Sequence, residues 1–342
     1  MQFRTLAACL IALLTLMSSP AMSDEAGPLR AGMIGLDTSH APAFAKLLDG
    51  SKTAGDLAGV KVVAAFPGGS PDLPASADRV EGYTKELAKM GIEIVPSIEA
   101  LLPKVDVVLL ESVDGRPHLA QVLPVLRAKK PVFIDKPVAG SLADAVAIYN
   151  VAQELGVPCF SSSSLRFSKG IISMRNDQRV GRVMGCEARG PCTLEPHHPD
   201  LYWYGIHGVE TLFTIMGTGC QSVTRVQTDG TELVAGVWTE GRIGTFRGLR
   251  AGAHGYGAMV YGDKGIAPSG GYDSYEPLVV EIVKFFKTGK PPVSAEETLE
   301  IYAFMEAADE SKRQGGKPVT IESVMSKARQ AAAEKKLAAG NK

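Results

Sequence analysis

The sequence predicts an α/β protein: a Rossmann-like, doubly wound parallel sheet followed by a second domain of antiparallel hairpins and helices. Three observations lead there. From Leu29 to about Val157, apolar runs rich in Val, Ile and Leu alternate with amphipathic helical stretches, the pattern of parallel strands covered on both faces. From Gly181 onward, strand-like runs follow one another across TDG and TEG turns without helices between most of them, as in antiparallel hairpins. The first apolar run stops at Gly35 and turns polar as LDTSH, the form of a first strand that leaves its sheet and opens a helix. Ligands of such folds gather at the carboxyl ends of the strands.

Taken in order, residues 1–23 read as a secretory signal peptide: Arg4, an apolar block from Leu6 to Met17, then SSPAMSDE with cleavage after Ser23. The block is shorter than the ~20 residues a membrane span needs. There is no twin arginine, so Sec-type export to the periplasm or the medium is expected. The Rossmann-like domain occupies 28–158, with strands RAGMIGL, VKVVAAF, IEIVP, VDVVLLES, PVFIDKP and VPCFSSSS. Between them lie helices in APAFAKLLDG, VEGYTKELAKMG, SIEALLPK, HLAQVLPVLRAKK and SLADAVAIYNVAQELG. Ser97 and Ser141 are placed to cap their helices.

The second domain, 159–325, carries the strands RVMGCEARG, SVTRVQTDG, TELVAGVWTE, GRIGTFRGL and YGAMVYGDKG. A helix in WYGIHGVETLFTIMG interrupts them, and YEPLVVEIVKFFKTG forms another. The helix after Ser294 has Glu297 three residues on, a capping box. Residues 326–342 form a charged helical tail.

Composition narrows the function by exclusion. At 45% hydrophobic, 21% charged and a formal net charge of −1 over 342 residues, there is no basic excess for nucleic acid or an anionic membrane. Cys159, Cys186, Cys192 and Cys220 lie beyond the signal segment without CxxC spacing, which argues against structural zinc. A Cys186–Cys192 disulfide and four buried thiols are equally compatible with that count.

Three motifs could carry chemistry. A dinucleotide-binding first turn wants G-x-G-x-x-G, so that backbone N–H groups approach a pyrophosphate. Here Gly35, Asp37 and His40 stand at the three glycine positions, and Asp37, Thr38 or Ser39 is better suited to cap the helix. The second strand ends in AAFPGG, with no carboxylate for a ribose before Asp72. The fingerprint therefore fails at two independent points. The second motif is Ile134-Asp135-Lys136-Pro137, whose lysine at a strand end can steer an oxyanion or hold a hydroxyl. In the third, His207 and Glu210 share a helix face and His207 is suited to general acid–base work. Tyr202, Trp203 and Tyr204 just before it would form a sugar-stacking wall.

Together with SSSLRF and PPVSAEETLEIYAFMEAADESKRQGGKPV, these stretches resemble the Gfo/Idh/MocA family, the glucose–fructose oxidoreductase and inositol dehydrogenase relatives. The resemblance covers the chain after the signal segment and implies a Rossmann domain followed by an α/β domain with a large, open, mainly antiparallel sheet. It implies an oxidoreductase acting on a sugar, polyol or related carbohydrate derivative with NAD or NADP, and a homo-oligomer joined through the C-terminal sheet. It makes Lys136, His207 and Asp135 catalytic. Gly35, Asp37, Thr38, Ser39, His40, Glu111, His118 and Lys136 would face the cofactor. Arg166, Tyr202, Trp203, Tyr204 and Glu210 would face the substrate. Trp203 stands where the family often has an aspartate. Because the nucleotide motifs depart from the family, two alternatives stand beside this reading. One is a nucleotide-independent lyase, hydrolase or isomerase, with Asp37, His40, Glu111, His118 and His207 around the crevice and a divalent metal as a less favoured occupant. The other is a non-catalytic sugar-binding relative.

Overall fold

The parallel half of the expectation is met strand for strand. In the computed structural model, which describes residues 27–49 and 55–340, six strands form one sheet: β1 (Leu29–Ile34), β2 (Val60–Phe66), β3 (Glu93–Ile94), β4 (Val107–Leu110), β5 (Val132–Ile134) and β6 (Cys159–Ser161). All pairings are parallel, in the order β3-β2-β1-β4-β5-β6. The order reverses at β1, and that switch point opens a crevice at the carboxyl ends of β1 and β4. The signal segment 1–23 lies outside the described residues, and no described helix is long and apolar enough to cross a membrane.

The second sheet contains β7 (Val183–Pro191), β8 (Cys220–Gln227), β9 (Thr231–Trp238), β10 (Ile243–Leu249), β11 (Gly257–Gly262), β12 (Ile266–Pro268) and β13 (Val319–Thr320). Its order is β12-β11-β7-β10-β9-β8-β13, antiparallel except for the parallel pair β7 and β10. The two edge strands β12 and β13 are not among the predicted ones; each is too short to show alternation.

Local signals explain the helix starts. The side chains of Ser97, Ser141 and Ser294 each accept a hydrogen bond from the backbone three residues on. The predicted capping box forms only by half, because the Glu297 carboxylate turns to Arg166 instead. The four cysteines are free and buried, so the thiol alternative holds.

The halves interlock. Helix Glu276–Thr288, assigned by sequence to the second domain, buries Leu278, Val279, Ile282 and Val283 in one cluster with Met33, Phe44 and Phe133 of the first. Helix Gly205–Met216 is buried along its whole length and lies so close to the second sheet that a methyl group on Gly208 would run into the ring of Phe246. Overpacking of that kind costs about 1–3 kcal/mol. Gly208→Ala should therefore lower the urea-unfolding free energy by that amount; an unchanged midpoint would mean that the helix has room to lift.

Candidate active site

Three strand ends supply the polar floor of the site. His40 opens helix His40–Leu47 after β1, Glu111 follows β4, and Asp135 follows β5. The order β1-β4-β5 makes the three neighbours. Their main chains extend the ladder by one residue: Glu111 N donates to Ile34 O at 2.7 Å and Asp135 N to Leu110 O at 2.8 Å.

The side chains are buried and poorly paired. His40 Nδ1 stands 2.7 Å from Asp135 Oδ2, but off the line of a hydrogen bond. That nitrogen and both Asp135 oxygens consequently have no hydrogen-bond partner among the described residues. Glu111 is fully buried with both oxygens equally unpartnered. Burial, and then the charge of Asp135, push the Glu111 carboxyl well above its ordinary range, while Lys136 opposes them. Burial also works to raise Asp135, but facing His40 and adjacent Lys136 hold it below the ordinary value.

Above this floor lies a cavity of about 280 Å³ lined in part by His40, Lys136 and His207. Its walls are aromatic, with Trp203, Tyr204, Tyr256, Tyr272 and Tyr275 all contributing. Small-molecule pockets run from roughly 300 to 1,000 Å³, so this one suits a single compact ligand. Tyr275 meets the His40 ring edge-on at 4.6 Å, and Phe44 stacks on it at 5.4 Å. The imidazole is therefore fixed in orientation.

His207 is fixed by its other end. Its Nδ1 lies 2.7 Å from Ser163 Oγ, which already accepts a bond from Leu165 N. The Ser163 hydroxyl proton is thus free to donate to Nδ1, leaving the ring proton on Nε2, the nitrogen available to the pocket. Burial, followed by the charges of Lys136 and His40, keeps His207 well below the ordinary histidine pKa.

The turn after β1 departs from a phosphate cradle. Asp37 is buried, accepting from Ser76 Oγ at 2.6 Å and from Val113 N at 2.9 Å. It is a tie between three loops, not the predicted cap. The weak cap is Thr38, whose Oγ1 accepts from His40 N at 3.4 Å, and Ser39 makes no capping bond. Gly35, at φ 86°, abuts the Ser112 backbone so closely that no side chain fits. Beyond β2, Ser70 donates to Asp114 at 2.6 Å, and Arg116 bridges Asp114 and Asp72. From the second domain, His198 Nε2 reaches Asp114 at 3.1 Å. The loop after β2 is thereby held down over the switch point.

Several predicted ligand contacts lie elsewhere. Glu210 does not reach the pocket: it accepts from Ser162 Oγ, Ser163 N and Arg166 Nε, each at 2.7 Å. Arg166 is consumed by that carboxylate and by Glu297. Tyr202 is a core residue packed edge-on against Tyr302 at 4.9 Å. His118 is fully buried, with Nε2 2.9 Å from Ser112 O and Nδ1 3.3 Å from Val138 O, and staples two strand-end loops. Trp203, Tyr204, Thr38, Ser39, His40, Lys136 and His207 do come together around the cavity. Sequence reasoning missed Ser163, Arg79, Tyr256, Tyr272 and Tyr275; of these, the aromatic pair in GYDSYEP was the one visible signal.

Residues 29–163 match the family model described as "Oxidoreductase family, NAD-binding Rossmann fold", Gfo/Idh/MocA. That match runs from β1 through β6, the first sheet and its helices. A 1,5-anhydro-D-fructose reductase from Ensifer adhaerens is 33% identical over 131 residues, a match spanning 36% of this chain and 38% of that relative. The fold likeness runs further. Myo-inositol dehydrogenase from Lactobacillus casei, solved with NAD(H) and myo-inositol, superposes with a TM-score of 0.67 over 86% of this chain and 96% of its own, at 17% identity. Scyllo-inositol dehydrogenase from the same organism, with NAD(H) and scyllo-inositol, gives 0.69 over 86% and 99%, at 14% identity. At such identities the likeness is one of fold, and it spans both sheets.

A histidine with a depressed folded-state pKa binds fewer protons than in the unfolded chain. Its stabilising contribution is complete above about pH 6.5 and is lost as pH falls below that. The difference in urea-unfolding free energy between the parent and His207→Asn should therefore shift against the parent as pH falls from about 7 to 5. Equal slopes in the two proteins would show that the fold does not enforce a neutral His207.

Proposed function

We propose that this protein is an enzyme acting on a sugar, polyol or related carbohydrate derivative, with the cavity between the two sheets as its active site. The observation that carries the reading is the meeting of Lys136 and His207 in one aromatic-walled cavity. The Lys136 ammonium orients a hydroxyl or carbonyl oxygen and stabilises negative charge on it. Neutral His207 exchanges the hydroxyl proton through Nε2, with Ser163 holding the ring in place. Asp135 acts from below by offsetting the charge of Lys136. Trp203 and Tyr204 present ring faces to an apolar sugar face.

The family likeness supports an oxidoreductase working with NAD or NADP. The turn after β1 does not fit a nucleotide held in the family's manner: both Asp37 oxygens are engaged where a pyrophosphate would lie, and its buried carboxylate would face like charge. No hydride step follows from these residues. The same observation favours a second reading, nucleotide-independent acid–base chemistry of the lyase, hydrolase or isomerase type.

Native mass spectrometry, together with titration of NAD(H) and NADP(H) up to millimolar concentration, separates the two. Retained or saturably bound nucleotide supports the oxidoreductase; none, with turnover of a sugar derivative preserved, supports the second. In either case His207→Asn should lower kcat/KM by about 10²–10⁴. Sugar binding with no turnover of any kind would overturn both and leave a binding protein.

Two further parts of the reading rest on sequence and surface. Arg4, the Leu6–Met17 block and Ser23 support export, and N-terminal sequencing of the mature protein should begin at Asp24. A homo-oligomer is supported by the outer face of the second sheet, where Val226, Val237, Ile243 and Ile266 are exposed, with Ile243 and Val237 in direct register. Contiguous apolar surface of that kind marks an interface. Light scattering should give a multiple of the chain mass, reduced to the monomer in Ile243→Lys; a monomeric parent would remove this part.

A further inference from the structure

We propose that His40, Glu111 and Asp135 form a binding site for one divalent first-row cation, of the manganese or zinc type, bordering the floor of the pocket. Nδ1 or Nε2 of the histidine and one oxygen of each carboxylate lie within 4.8 Å of one another. Bonds of about 2.1 Å to a shared ion place three ligand atoms roughly 3.0–3.6 Å apart, so closure asks for side-chain shifts on the order of an ångström, within reach of a χ rotation. The parallel sheet holds the Glu111 and Asp135 backbones in place, and His40 is offered from the first turn of the helix after β1.

The second observation is the condition of the side chains. All are at least nine-tenths buried, yet Glu111 has neither oxygen hydrogen-bonded, and His40 Nδ1 and Asp135 Oδ2 are close without being aligned for a hydrogen bond. Buried polar atoms are ordinarily paired. Lone pairs that converge on a point instead of on one another are what a cation requires. One imidazole and two carboxylates suit Mn²⁺ or Zn²⁺ better than the harder Mg²⁺ or Ca²⁺, which prefer all-oxygen sets. Three protein ligands leave coordination positions open. His40 also lines the pocket, so those positions suit a chelating substrate: vicinal hydroxyls, or a hydroxyl beside a carbonyl or carboxylate. The site is complete without a substrate, and its test does not depend on the activity.

The full chain, stripped with chelator, is titrated with MnCl2 and with ZnCl2 by calorimetry, with Mn²⁺ followed by electron paramagnetic resonance. Expected are about one ion per chain and a rise in melting temperature for the parent. Glu111→Gln and Asp135→Asn should each bind at least about ten-fold more weakly and lose that rise. The isosteric Glu111→Gln replaces a buried carboxyl, so its metal-free melting temperature should match or exceed that of the metal-free parent, which separates lost binding from lost folding. Absence of saturable binding at millimolar metal would overturn the site, leaving a protonated Glu111 beside a His40–Asp135 pair. Undiminished affinity in both variants would overturn it as well.

Discussion

Taking a carboxylate out of water costs several kcal/mol unless its charge is compensated, and this fold buries two side by side. Glu111 and Asp135 end adjacent strands, so the parallel register that builds the sheet also forces their proximity. Much of the surrounding chemistry follows from that constraint. His40 is drawn against Asp135 from the helix after β1, on the other side of β4, and the Lys136 charge bears on both carboxylates. Glu111, left with the weakest compensation, either holds a proton or shares a cation. A sheet that needed only stability would place apolar residues there, since removing one partner of a buried charge cluster is far costlier than never forming it. The cluster is therefore an argument for function at this end of the sheet.

Asp37 shows how one side chain can redirect a familiar turn. A glycine at that position leaves backbone N–H groups open to a phosphate; an aspartate supplies the anion itself. Its two oxygens collect Ser76 Oγ and Val113 N, tying the loops after β1, β2 and β4 together. The Ser70–Asp114–Arg116–Asp72 chain continues the tie, and His198 fastens it to the second domain. What remains open between the sheets is a cavity of about 280 Å³, on the scale of one sugar.

The sheets were legible because each strand is specified locally, by apolar runs and by the turns that end them. Lys136, His207 and His40 were legible as residues, for chemistry-bearing types at strand and helix starts are uncommon. Their surroundings were not. Arg166 and Glu210 looked like substrate contacts because a buried ion pair and a ligand-binding pair have the same composition. Only the tertiary placement of Glu297, far along the chain, shows that their charges are spent. Tyr202 sits beside two pocket aromatics, and one step of chain direction sends it into the core instead. Asp37 was read as a cap because the Ser76 that claims it lies on another loop, at a distance no local pattern encodes.

The interlocking of the halves decides who owns the pocket. Helix Glu276–Thr288 is packed into the core of the first domain, with Phe285 against Phe160 at 4.9 Å. Tyr275 immediately precedes it and lies over His40, with its hydroxyl 3.3 Å from Ser39 Oγ. Tyr272, three residues earlier in the chain, meets Tyr275 at 5.9 Å. Tyr272 and Tyr275 are thus anchored to the sheet that supplies the floor, while His207 arrives on a helix buried against the other sheet and Trp203 on the turn just before it. A hinge between the sheets would have to strip apolar surface from the cluster around Phe44 and Phe133. At about 25 cal/mol per Å² of apolar area, exposing a few such side chains would cost several kcal/mol. The geometry between Lys136, His207 and the strand-end cluster is accordingly set by folding, before any ligand arrives.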